Sequence, residues 1–388
     1  MAASLRLVFL ILRLQACDCF KLAVVSKVIV DTISGVQRPG GGGVQAAAGA
    51  RLSSAAEEAA IAFHAPVGRD FEASMLDPLS NGYRVDVSHV SQLDTVETTP
   101  GEIISYGDDD KMEYVPVGWD GWDTLCSWEP PNVTGYDALH VIVEGGGSGE
   151  VRSVLGAFAD ARAESPSRTL CIGVEPILHE CSAKALDGLR EVTRIATMCS
   201  PDLPTARCIA QVAAADDASE FTCRPADADT AVLSALRADI AEDGSSLAAM
   251  AAACFDELCM QPGAILAIRD GASGSYLYTR PSPTAPVWQW LADIGSREYE
   301  WLAHVPAAEL EQVVDPTGAG NAYAGALCAQ LAAGVEPERA AALATAVGAA
   351  FCREAEWAPV EPEEARRWVG TASSEVLTRL RVVVGREM

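Results

Sequence analysis

Basic residues are scarce in this chain. Against 54 Asp and Glu there are 28 Lys and Arg, a formal charge of −26 over 388 residues. General affinity for nucleic acid or for an anionic membrane surface rewards clustered Lys and Arg, so both partners are excluded, and any polyanionic ligand has to be held locally. Paired-cysteine motifs are missing too. The twelve cysteines are scattered, only Cys17/Cys19 and Cys254/Cys259 lie close together, and no C-x-x-C pair occurs. That argues against a zinc site and against a disulfide framework, and for a reducing, cytoplasmic setting. Long apolar runs are absent: Leu7 to Leu12, between Arg6 and Arg13, is far short of a membrane span and short for the core of a signal sequence. Residues 1–20 therefore read as an N-terminal extension. There is no internal repeat and no low-complexity block. With 49% hydrophobic content the chain is able to bury one large core, and a single domain over residues 21–388 is expected.

The most informative stretch is Val313 to Leu327, VVDPTGAGNAYAGAL. Val313 and Val314 read as a strand end, and Pro316 stiffens the turn after it. Thr317, Gly318, Ala319 and Gly320 allow a tight turn, after which the unpaired N–H groups at the start of a helix point at whatever sits above them. Phosphate is the natural guest of that arrangement. A Gly-Ala-Gly triplet alone would be a plain turn; here Ala322, Gly325, Ala326 and Ala329 add a helix face small enough to lie close against a sheet. Asn321 opens the helix and faces the same spot, so its side chain decides between acid–base chemistry and binding alone.

A first strand is expected over Leu22 to Val30, with Asp31 behind it, then Arg38-Pro-Gly-Gly-Gly-Gly-Val-Gln45 and a small-residue helix from Ala46. Four consecutive glycines in front of a helix mark either a linker or a close approach of backbone to a ligand, and the helix favours the second. Gly101 to Pro116 reads as a β-hairpin around Gly107 to Lys111, whose three Asp are solvated turn residues rather than a metal site. From Ala138 strands and helices alternate: strands at Ala138–Val143, Thr169–Val174, Arg194–Met198 and Ala264–Ile268, helices at Glu150–Glu164, Ser182–Val192 and Ser246–Met260. Such alternation predicts an α/β fold, a doubly wound parallel sheet covered on both faces. Glu361 to Arg381 reads as one or two amphipathic helices. Glu144-Gly-Gly-Gly-Ser-Gly149 suggests a dinucleotide site, but the third glycine of that pattern would fall on Glu150 or Val151, so the match is poor.

With Asp31, the early glycines and the late Gly-Ala-Gly in place, the chain resembles the ribokinase-like (PfkB) carbohydrate kinases over most of residues 21 to 355. Asp315 to Asn321 is similar to the signature D-T-x-G-A-G-D at all but two of its specified positions. Gly40, Gly41 and Gln45 look like the family's substrate-binding Gly-Gly and the amide after it, Asp31 like its sugar-binding aspartate, and residues of about 32–39 and 101–116 like its small β lid. Ile268 to Leu277, with Gly271 and Gly274, is similar to the segment bordering the nucleotide. Thr98-Thr-Pro, Val174-Glu-Pro and Asp315-Pro-Thr-Gly-Ala-Gly-Asn321 are similar to the fungal "maintenance of killer" branch. The resemblance implies transfer of phosphate from ATP, with Mg2+, to a hydroxyl of a sugar or nucleoside-like molecule. It implies an anion cradle at Gly318, Ala319 and Gly320, a monovalent cation beside Asp315 and Thr317 as in many relatives, and a homodimer in some. Two departures weaken that reading. The position of the general base, Asp in active relatives, is Asn321, and a neutral amide accepts no proton at pH 7, so Asn321→Asp is expected to raise transfer tenfold or more. The family's Asn-x-x-Glu motif, which organises magnesium, aligns with Asp202-Leu-Pro-Thr205, leaving Asp202 as the metal candidate. A nucleotide-binding protein without turnover is the alternative.

Overall fold

The computed structural model describes residues 20–387 apart from 34, 55–58, 107–111, 127, 129–131, 145–154, 157, 159, 161–170, 216–220, 243, 281–298 and 355–356. The N-terminal extension, the hairpin turn at 107–111, the Gly145 to Gly149 run and most of the helix expected over Glu150–Glu164 fall outside the described residues.

Strands of two to ten residues, most of them apolar, build the central sheet. β1 (Phe20–Val25) pairs in parallel with the later strands β4 (Ala59–Gly68) and β8 (Ala138–Glu144). Its residues are buried on both sides: Leu22 and Val24 enter one hydrophobic core, Ala23 and Val25 the other. The lid strands are β2 (Ile29–Ile33), β3 (Val36–Gly40), β6 (Gly101–Tyr106) and β7 (Met112–Val117), in the order β3-β2-β6-β7. The main sheet also takes β5 (Asp86–Leu93), β9 (Cys171–Ile177), β11 (Met198–Cys199), β13 (Ile265–Arg269), β14 (Ser275–Thr279), β15 (Tyr299–Val305) and β16 (Arg381–Glu387). Its order is β16-β15-β14-β13-β11-β9-β8-β1-β4-β5, and a two-stranded ribbon of β10 (Cys181–Ser182) and β12 (Thr222–Cys223) stands apart.

The helices are α1 (Gly43–Ser53), α2 (Trp122–Cys126), α3 (Ala183–Thr193), α4 (Leu203–Ala214), α5 (Thr230–Glu242), α6 (Ser245–Glu257), α7 (Ala319–Ala332), α8 (Pro337–Phe351) and α9 (Pro362–Arg379). Residues of α1, α7, α8 and α9 pack into the core on one face of the sheet, and those of α3, α4 and α6 into the core on the other. The expected α/β architecture with a β lid is therefore present.

Five expectations need correction. The run Leu22–Val30 is two strands in two sheets: the chain leaves β1 at Ser26, whose N–H donates to the carbonyl of His64 and whose hydroxyl donates to the carbonyl of Gly41. Asp31 consequently lies within lid strand β2, opposite Arg38 of β3, rather than after a core strand. The sheet is parallel only from β5 to β13, since β14, β15 and β16 add antiparallel. Val313 and Val314 are not a strand end; they are 55% and 49% exposed in a loop that the Val314 N–H pins to the carbonyl of Cys352. The small face of α7 meets a helix: a Cβ on Gly325 would stand 2.0 Å from the carbonyl oxygen of Ala46, and one on Gly49 would stand 2.2 Å from that of Ala322. Backbone-to-backbone approach of α1 and α7 needs both glycines. Finally, Cys208 of α4 and Cys223 of β12 form a disulfide, where no cysteine pairing was expected.

Candidate functional site

The contact between α1 and α7 sets two glycine turns side by side. The first follows β3. Gly40 lies so close to the lid aspartate that a Cβ there would sit 2.0 Å from Asp31 Oδ2, and Gly41 (φ +89°) and Gly42 (φ +75°) take a left-handed path into α1. Gln45 then falls in the first turn of α1, 4% exposed. The second turn opens α7. Asp315 Oδ1 accepts the N–H of Thr317 at 2.9 Å, folding the chain back, and Gly318 (φ +79°) leads into Ala319. The turns touch: a Cβ on Gly318 would come within 2.5 Å of Gln45 Cγ, and one on Gly42 within 2.5 Å of Asn321 Nδ2. Asp31, Gly40, Gly41, Gln45, Thr317, Gly318, Ala319, Gly320 and Asn321 are thus drawn into one neighbourhood.

Two buried polar atoms there accept or donate no hydrogen bond among the described residues, Gln45 Oε1 and Thr317 Oγ1. Buried polar atoms are normally satisfied, so such orphans beside a helix N-terminus suit a polar guest.

Beneath the second turn lies a charged cluster. Glu175 projects from β9 with no solvent exposure. Its Oε1 accepts the side-chain amide of Asn321 at 2.9 Å and an ion-paired hydrogen bond from Arg269 Nη1, and its Oε2 stands 3.4 Å from His140 Nε2. A carboxylate only accepts, so the nitrogen of the Asn321 amide must be the end that faces it. Arg269 ends β13 on the same face of the sheet. Between β9 and β13 stands β11, only two residues long, so the pair meets over its end. Sequence reasoning missed Glu175, Arg269 and His140 as site residues. The available signal was that the apolar runs CIGV and ILAI end on opposite charges.

The lid is tied to the second turn. Arg38 Nη2 donates to Asp315 Oδ2 at 3.1 Å, and both side chains are nearly buried. With Thr317 N–H on Oδ1, both oxygens of Asp315 are engaged. Around this loop the Cys352 thiol is pushed up to about 11, by burial first and then by Asp315. Burial also pushes the Tyr323 hydroxyl, which donates to Ser275 Oγ at 2.9 Å, to about 12.

Gly271 and Gly274 form the turn between β13 and β14, two residues beyond Arg269. Gly274 (φ +95°) packs where a Cβ would meet the carbonyl of Val305 at 2.1 Å. Asp202 is exposed and caps α4, its Oδ1 accepting the N–H of Thr205 at 2.8 Å. Among the described residues no group of three or more His, Cys, Asp or Glu is arranged to hold a metal ion. Among them, too, no helix is long and apolar enough to cross a membrane.

Residues 241–363 match the model of the pfkB family carbohydrate kinases. The fold is similar to ribokinase from Cryptococcus neoformans var. grubii serotype A in complex with ADP, at 17% identity and a TM-score of 0.60, over 93% of this chain and 99% of that one. It is similar to the nucleoside kinase of Methanocaldococcus jannaschii, an archaeal member of the ribokinase family, at 13% identity and TM-score 0.56, over 90% and 98%. It is also similar to Arabidopsis thaliana ribokinase complexed with ribose and ATP, at 14% identity and TM-score 0.56, again over 90% and 98%. No curated protein matches. The chain has the ribokinase fold, and the match over residues 241–363 supports the pfkB family.

Proposed function

We propose that this chain binds ATP and a sugar or nucleoside-like molecule in the cleft between the lid and the two glycine turns, and transfers phosphate to a hydroxyl of that molecule weakly. The observation that carries the reading is the contact of Gly42 with Asn321, which sets a substrate-type turn against an anion-type turn. In this reading the N–H groups of Gly318 and Gly320, joined by that of Ala319 once it leaves the carbonyl of Pro316 to which it donates at 3.2 Å, cradle the transferring phosphoryl group at the start of α7. Asp31, Gly41 and Gln45 hold hydroxyls, and the segment of Gly271 and Gly274 borders the base. Asn321 orients but accepts no proton, and loss of a general base costs roughly 10² to 10⁴ in rate. Mg2+, when bound, neutralises phosphate charge; it keeps several waters and takes one or two carboxylates at most, a role within reach of Asp202. A monovalent cation at Asp315 would have to compete with Arg38. The three short wordings at Thr98, Val174 and Asp315 support the fungal "maintenance of killer" branch, and a cytoplasmic homodimer fits the same reading.

A second reading, binding without turnover, is favoured by the Asn321–Glu175 hydrogen bond: the nearest buried carboxylate is fully shielded and already paired with Arg269. Calorimetric titration with ATP and ADP, with and without Mg2+, followed by transfer assays over a panel of sugars and nucleosides, tests both. Binding with slow transfer supports the first reading and binding with none the second. Tight NAD binding without ATP binding would overturn both.

A further inference from the structure

We infer that Arg269 is a further phosphate-contacting residue of this site, a guanidinium set beside the N-terminus of α7 with Glu175 as its buried counter-ion. The inference rests on the nucleotide reading above and deepens it by naming the cation.

The geometry has three parts. A Cβ on Gly320 would come within 2.8 Å of Arg269 Nη1, so the guanidinium lies against the second peptide of the helix that would cradle phosphate. That position adds a full charge to the partial charge of the helix end. Second, the ion pair is asymmetric in depth: the Glu175 side chain is wholly buried while that of Arg269 is 14% exposed. The carboxylate is the buried partner, and the cation is the one that solvent reaches. Third, the guanidinium carries five N–H donors, yet its protein hydrogen bond is the one from Nη1 to Glu175, and its buried Nε has no partner among the described residues. The orphaned Gln45 Oε1 on the other side of Gly318 marks the same spot as built for a polar ligand.

Charge makes the residue necessary. A chain of net charge −26 repels a nucleoside triphosphate, and helix dipoles alone are weak against that field. The other arginine at the cleft, Arg38, is committed to Asp315. Arginine is suited to the task because its planar fork meets phosphate oxygens with two parallel bonds while a third N–H keeps Glu175. Glu175 holds the fork in place without ligand, and Asn321 satisfies the remaining capacity of the same oxygen.

The test is calorimetry with ATP, ADP, AMP and adenosine on the wild-type chain, R269K, R269Q and the paired neutral variant E175Q/R269Q, which leaves no buried charge unpaired. Expected are losses of about 10- to 100-fold for ATP and ADP in R269Q and in the paired variant, with AMP and adenosine changed less than about twofold. R269K should keep part of the affinity. ATP affinity within twofold of wild type in the folded paired variant would overturn the inference and leave the nucleotide reading standing. So would a parallel loss for all four ligands, which marks a purely structural role. A wild-type chain that binds none of them overturns the nucleotide reading and this inference together.

Discussion

The side-chain amide of Asn321 donates to Glu175 Oε1 at 2.9 Å, so the residue proposed to stand at the base position is bonded to a buried carboxylate that projects from β9. Read from sequence, Asn321→Asp restores a missing base. In the fold it also sets two carboxylates within hydrogen-bond distance, where like charges repel by about 4 kcal/mol at 4 Å near a protein surface. The expected outcome is that Asn321→Asp alone gains little phosphotransfer at pH 7, whereas the exchange Glu175→Gln with Asn321→Asp gains tenfold or more. Transfer rates over the sugar and nucleoside panel check this. A single variant as active as the exchange would show that Glu175 does not oppose the new carboxylate.

Arg38 and Asp315 join the lid to the second turn, and they bear on cation dependence. With a tethered guanidinium on Oδ2 and the Thr317 N–H on Oδ1, Asp315 has its charge answered from within the chain. ATP affinity should therefore agree within about twofold in potassium, sodium and tetramethylammonium salts at equal ionic strength. In Arg38→Met the carboxylate is exposed to solution ions, and ATP should bind better in potassium than in tetramethylammonium. A wild-type chain that needs potassium would sink the idea.

How much of this was readable beforehand depends on what each feature requires. Gly41, Gly42 and Gly318 hold left-handed backbone that only glycine adopts freely, so their clustering before helices was legible as tight turns leading into helices. Asp31 was harder. Val28 to Val30 continues the apolarity of β1, and periodicity records which face a residue takes but not which sheet it joins. Glu175 and Arg269 lie 94 residues apart, and their meeting depends on β11 being two residues long, which composition does not reveal. The antiparallel β16 was hidden because RVVVGRE directly follows a charged helix and looks like its frayed end.

The crossing of α1 and α7 gives a packing prediction with its own control. Gly325→Ala drives a methyl into the Ala46 backbone, which cannot swing away as a side chain could, and overpacking of this kind costs about 1–3 kcal/mol or more. Gly370, in the middle of α9, has nothing within 4 Å of an added methyl, so Gly370→Ala should stabilise by roughly 0.5–1 kcal/mol. Urea midpoints at one pH compare them. Because the same crossing seats both glycine turns, Gly325→Ala should also weaken ATP binding. Equal stability of the two variants would mean that the helices separate at little cost.

Stability should fall with acid through His64. Its ring is fully buried, stacks on His89 with centroids 4.3 Å apart, and makes a 3.0 Å hydrogen bond between Nε2 and the Tyr136 hydroxyl. Burial, followed by the neighbouring His89 and partly offset by Asp86, lowers its pKa from 6.5 to about 4. The folded state thus resists a proton that the unfolded chain takes readily. Its contribution is complete above pH 6.5, declines as pH falls from 6.5 to about 4, and is lost below that. The whole window is worth on the order of 3 kcal/mol, and about 2 kcal/mol of it is gone by pH 5. Other groups titrate over the same range, so the comparison has to be with His64→Phe, which keeps a stacked ring and removes the titration. Denaturant unfolding at pH 7.5 and pH 5 should show wild type losing about 2 kcal/mol more than His64→Phe. Equal losses in the two proteins would mean that His64 is protonated in the folded state and that its burial does not govern acid sensitivity.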